Sequence, residues 1–64
     1  MATILKLKNI LPTLEGRTLR VGTEVAVTDE SATGRHNTLI RVIIVADARY
    51  HVREEDLAYA QGEP

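Results

Sequence analysis

Between Leu19 and Thr28 the chain reads Leu-Arg-Val-Gly-Thr-Glu-Val-Ala-Val-Thr. Leu19, Val21, Val25 and Val27 fall on odd positions, and Arg20, Glu24 and Thr28 on even ones. A period of two is the mark of a strand with one buried and one wet face. No other feature constrains the fold as strongly, and it points to an all-β class.

The rest of the chain extends that pattern. Thr3 to Ile10 reads as a first strand, with Leu5 and Leu7 on one face and Lys6 and Lys8 on the other. Pro12 ends it, since proline cannot donate to a ladder and pushes Leu11 toward extended geometry. Pro12 to Arg17 is expected to be a loop with Gly16 at positive φ, and Leu11 and Leu14 to fold back over the end of the core. Thr18 to Thr28 is the second strand, with Gly22 inside it as a bulge or sharp bend. Asp29 to Thr38 is polar throughout and reads as a long loop with Gly34 and Asn37 as turn formers.

Leu39 to Ala46 is the most apolar strand. Ile40, Val42 and Ile44 take one face, Ile43 and Val45 the other, and only Arg41 interrupts. A strand buried on both sides has this composition. Its second face needs a cover: a curling strand, a terminal segment or another subunit. Arg49 to Arg53 is a fourth strand, with Tyr50 and Val52 inward and Arg49, His51 and Arg53 outward, joined to the third by a tight turn at Asp47-Ala48. Glu54, Glu55 and Asp56 suit the first turn of a short helix, whose dipole they complement. Leu57 and Tyr59 are expected to pack back from it, and residues 61–64 to form a frayed tail after a single domain of residues 1–60.

This order of segments resembles the SH3-like small barrels, in the broad sense that includes KOW-type modules. The residues that carry the resemblance are Leu19 to Val27, the paired strands after them, and Tyr50 to Leu57. Many such barrels have a glycine, an acidic residue and a Val-x-Val run after the first loop. Many also close with Val-x-x-Glu-Asp-Leu, here Val52 to Leu57, as one helical turn. The resemblance implies a small SH3-like barrel of four to five antiparallel strands with a short C-terminal helical turn. The chain departs from the signalling SH3 domains in lacking an aromatic ligand groove, and from KOW modules in lacking their glycine-centred basic motif.

Composition narrows the function classes. A chain of 64 residues buries only roughly 60% of its unfolded surface and is marginal alone. With no cysteine, disulfides and thiolate metal sites are excluded, which leaves a compact core or oligomerisation as the source of stability. No apolar run approaches the roughly 20 residues of a membrane span, and Lys6 interrupts any leader-like segment. A soluble cytoplasmic protein is therefore expected. Phe and Trp are absent, and Tyr50 and Tyr59 are the only rings. That weighs against a groove for proline-rich ligands and against a stacking platform for single-stranded nucleic acid.

Chemistry offers three constellations. Asp29, Ser31 and His36 share one polar segment, but a flexible loop cannot hold catalytic geometry, so no catalytic residue is expected. His51 near Glu55 and Asp56 reads as a solvated histidine, and neither a metal nor a cofactor is expected. Lys6, Lys8, Arg20, Arg41, Arg49 and Arg53 occupy polar strand positions and form a candidate basic face for duplex phosphates. Net charge is −1, yet residues 1–20 carry a local +3. The first functional reading is a non-enzymatic interaction module for a protein partner or for self-assembly. Its candidate self-association residues are Ile40, Val42, Ile43 and Val45. The second reading is nucleic-acid binding through the basic face.

Overall fold

The computed structural model describes residues 2–62. The strands are β1 (Thr3–Lys6), β2 (Leu11–Pro12), β3 (Thr18–Leu19), β4 (Glu24–Thr33), β5 (Leu39–Val45) and β6 (Ala48–Arg53). A 3₁₀ turn at Arg35–Asn37 separates β4 from β5, and one helix, α1 (Glu54–Ala60), comes directly after β6. An all-β domain with a short C-terminal helix is what the alternation required. Strands β1-β4-β5-β6 form one antiparallel sheet in that order, and β2-β3 form a separate two-stranded ribbon. The main sheet is open in its hydrogen bonding, with β1 and β6 as its edges.

One face of this sheet makes the core. Val25, Ile43 and Val52 are buried on β4, β5 and β6, with Leu5, Val27, Val45 and Tyr50 half-buried around them. The register sets Val27 opposite Ile43, and Ile43 opposite Tyr50, so the apolar residues share one face by alternation. Leu7, Leu11, Leu19, Leu57 and Ala60 close over them from the ribbon, the preceding segment and the helix. The core residues are all aliphatic. Full burial of one such side chain contributes about 1.5–3 kcal/mol, so a handful of them decides whether so small a domain folds.

A helix of seven residues has no stability of its own and holds by docking. Leu57 and Ala60 bury its inner face. Its C-terminal carbonyls find donors on the segment after β1. Ala60 O accepts from the N–H groups of Lys8 (2.7 Å) and Asn9 (3.2 Å), and Tyr59 O from Asn9 Nδ2 (2.7 Å). Tyr59 itself stays exposed, so Ala60 takes the packing place expected of it. Gln61 and Gly62 continue the last helical turn through bonds to Leu57 and Tyr59 carbonyls. The last two residues of the expected tail, 63–64, lie outside the described residues.

Several expectations are corrected. The second strand does not run unbroken from Thr18 to Thr28. Thr23 N–H donates to Arg20 O (3.2 Å), with Gly22 at φ +91°, which is a tight turn of the kind that requires glycine at its third position. Val21 sits on that turn and is 60% exposed. The first strand also stops at Lys6, and the stretch expected as a plain loop after Leu11 is flanked by the paired strands of the β2-β3 ribbon. Finally, Asp29 to Thr33 are not loop. They continue β4 past a bulge, where register shifts between Val27 and Ser31, so that Thr33 pairs with Leu39. This part of the hairpin projects beyond the core, so it needs no apolar face and its polar composition disguised it. The tight turn before β6 is made by Ala46 and Asp47, both at positive φ.

Candidate functional site

The six cations of the expected basic face are not brought onto one face. Arg41 shares the odd-numbered face of β5 with Ile43, whereas Arg49 and Arg53 oppose Ile44 and Ile40 on the even-numbered face. Three of them are already paired. Arg41 contacts Glu54 Oε1 through Nε (2.7 Å) and Nη2 (2.5 Å) and donates from Nη1 to Thr28 O (3.2 Å), tying β5 to the bulge and to the helix start. Arg49 pairs with Glu30. Arg53 grips Asp56 with two bonds (2.8 and 3.1 Å) and reaches Glu55 (3.2 Å). Asp56 raises the Arg53 pKa above its ordinary value. The acidic run Glu54-Glu55-Asp56 is thus spent on Arg41 and Arg53. Lys6, Lys8 and Arg20 are exposed and hold no ion partner among the described residues.

The expected self-association strand is covered by its own chain. Ile43 is 0% exposed in the core; Val42 and Ile40, 6% and 7% exposed, are buried on the opposite face; Val45 packs half-buried against the core. At Ile40 the unforeseen length of β4 supplies the cover. It carries the chain back over the far end of β5, where the Gly34 backbone lies against the Ile40 side chain; a Cβ added there would sit 3.4 Å from Ile40 Cγ1.

That return builds the most distinctive site of the molecule. Gly34 N–H donates to Thr38 O (2.7 Å), and Thr38 returns both its N–H (3.1 Å) and its Oγ1 (2.7 Å) to Arg35 O. Between them His36 and Asn37 are held at φ +58° and +60°. Non-glycine residues adopt this left-handed conformation at a cost, and such strain clusters where a chain does something besides fold. On one side of the turn is a hollow of about 320 Å³. Leu14 and Ile40 form its apolar floor beside Gly34, and Arg35, His36 and Arg53 surround it with nitrogen. On the other side Asn37, Leu39, Glu54 and Glu55 line a second hollow of about 260 Å³. Leu14, expected as a core cover, is 56% exposed here, and Leu39 is exposed as well. Sequence reasoning missed this groove, because its members come from three separated segments. The one available signal was His36-Asn37, two residue types that tolerate the left-handed region better than most.

Among the described residues His51 forms no ion pair with the acidic run that made it a candidate ligand. Its partner comes from the ribbon. Its N–H donates to Glu15 Oε1 (2.9 Å), Nδ1 lies 2.6 Å from Glu15 Oε2, and its carbonyl accepts from Leu14 N–H (2.8 Å). The His51 N–H and side chain hold the Glu15 carboxyl below its ordinary pKa. Next door, Arg17 donates to the Tyr50 hydroxyl (3.0 Å) and lies 5.9 Å from its ring centre. The loop keeps its shape through Thr13, buried, whose Oγ1 donates to Arg17 O (2.6 Å) and accepts from Arg17 N–H (3.1 Å). Ser31 stands opposite Arg41 in the ladder, whereas His36 lies in the turn beyond the hairpin end. Among the described residues no three His, Asp or Glu side chains are grouped to hold a metal ion, and no helix is long and apolar enough to cross a membrane.

Set beside known proteins, the chain matches no family model, no curated protein and no solved structure.

Proposed function

We propose that this chain is a non-enzymatic small β domain that binds a protein partner, through an apolar side chain with a neighbouring carboxylate that seats in the groove at the end of the β4-β5 hairpin. One observation carries the reading: an apolar floor of Leu14 and Ile40 surrounded by Arg35, His36 and Arg53, in a hollow of about 320 Å³. That volume is at the small end for a ligand site and suits one large side chain of a peptide. Arg35 holds no ion partner among the described residues, so an incoming carboxylate meets unspent positive charge. The resemblance to small barrels that serve as binding platforms adds support of a general kind. Nucleic acid is the weaker reading. Phosphate binding gains from the release of counterions by free cations, and three of the six expected cations are tied to carboxylates.

Selection of displayed random peptides, followed by amide-shift titration of the best binder, tests the reading. A groove plug provides the control. Gly34 has φ −92°, which any residue accepts, and its missing Cβ points at Ile40. Gly34→Leu therefore sets an apolar side chain against the hollow without straining the backbone. The expected result is binders with an apolar residue beside Asp or Glu, shifts at residues 34–38 and Leu14, and loss of binding in Gly34→Leu. Binders indifferent to Gly34→Leu would sink the proposal. So would a low-salt affinity for duplex DNA that disappears when Lys6, Lys8 and Arg20 are changed to Glu. A dimer mass in solution would return the self-assembly reading.

A further inference from the structure

An edge strand offers its outward N–H and C=O groups to whatever can pair with them. Strand β6 is such an edge. The outward groups of His51 are met, but not by a strand. Leu14 supplies one backbone N–H to the carbonyl, and the Glu15 carboxylate stands where a neighbouring strand's carbonyl would accept the His51 N–H. The same carboxylate reaches around to His51 Nδ1. A loop thus imitates one residue of an added antiparallel strand, using a side chain for half of the pairing. In an antiparallel ladder, alternate residues direct their backbone groups to the same side. The Arg49 N–H and C=O and the Arg53 N–H therefore share this edge with His51.

We propose that the β6 edge is a strand-addition site for an extended peptide bearing a carboxylate opposite His51, and that the Glu15 loop is its resident stand-in. This rests on the protein-binding reading above and uses a surface that adjoins the groove, with Leu14 and Arg53 common to both. The visiting strand's carbonyl takes the His51 N–H, its N–H replaces that of Leu14, and its carboxylate takes over Nδ1. Strand addition draws affinity from the main chain and specificity from alternate side chains. Here the specificity element is the cross-strand carboxylate–histidine pair. Displacement is easy on the loop's side. Leu14, Glu15, Gly16 and Arg17 are all exposed, and exposed ion pairs hold weakly against water and salt. The loop also has an anchor of its own, the two hydrogen bonds between Thr13 and Arg17.

The test is an amide-shift titration with a short capped peptide of alternating valine and glutamate, and with the same peptide carrying glutamine for glutamate. The glutamate peptide is expected to shift Arg49, His51 and Arg53, to release the Leu14 and Glu15 signals, and to bind more tightly than the glutamine peptide. Glu15→Ala removes the competitor and is expected to tighten binding about fivefold. His51→Pro deletes the central outward N–H of the edge, together with the imidazole, and leaves the β5 ladder whole, as proline on an edge strand does; it is expected to abolish binding. Shifts confined to residues 34–38 would overturn strand addition while leaving the groove reading intact. Unchanged affinity in Glu15→Ala would also overturn it, as would equal binding of the two peptides. If Glu15→Ala does not fold, the two wild-type titrations decide the matter.

Discussion

The two ends of this molecule are built on opposite terms. At one end Leu7, Leu11, Leu19, Leu57 and Ala60 close the core, and the backbone groups nearby find backbone partners: Leu7 with Gly22 and Thr23, Ala60 with Lys8 and Asn9. At the other end the β4-β5 hairpin turns through two left-handed residues, exposes Leu14 and Leu39, and opens a hollow on each side. The first end holds five of the eight buried residues of the core cluster, with Ile10, Val21 and Tyr59 exposed beside them. The second buries few side chains and combines strain with exposed apolar atoms, the features on which the proposed binding reading draws. Under the proposed reading, folding and binding are kept apart in this small domain.

The largest expected effect breaks that contrast if it fails. Leu11→Ala removes a fully buried side chain and should cost about 2–5 kcal/mol in denaturant unfolding. Leu14→Ala, three residues on, should stay within about 0.5 kcal/mol of wild type while weakening whatever seats in the groove. Comparable losses in both would mean that the ends are not distinct. Next comes Arg41→Ala, which releases Glu54 and the Thr28 carbonyl. The pair is about one-third exposed, so the loss should be only about 1 kcal/mol.

A smaller effect has the opposite sign. His36→Gly relieves a left-handed residue and should raise stability by about 0.5 kcal/mol after glycine's entropy is counted. A drop in melting temperature would show that the turn is not strained. The smallest effect concerns acid. The Glu15 pKa is lowered in the folded state from an ordinary 4.5. Its contribution is therefore complete above that value and is lost as pH falls through the lower folded value. With Glu15 40% exposed, the contribution is under about 1 kcal/mol. Stability of the wild type should fall below about pH 4.5 by that much more than stability of Glu15→Gln.

The core was largely legible. Leu5, Val25, Val27, Ile43, Tyr50 and Val52 stand on the faces that alternation assigns them, and Leu57 packs back from the helix as expected. Val21 did not obey, because a glycine one residue later allows a turn that alternation alone cannot see. The groove was illegible. Leu14, Gly34, Ile40 and Arg53 are far apart along the chain and meet only because β4 runs through a polar stretch and folds back. The basic residues were legible as charges but not as a face, since each carboxylate partner is chosen by register and by the position of α1.

By itself, the order of residues determined a β class, an aliphatic interior and a short acidic helix start, because a period of two and a run of carboxylates act over neighbouring residues. Only the tertiary structure decided which strand ran on, which cations were neutralised and where a hollow opened. Those outcomes depend on contacts between distant segments, which no local pattern encodes.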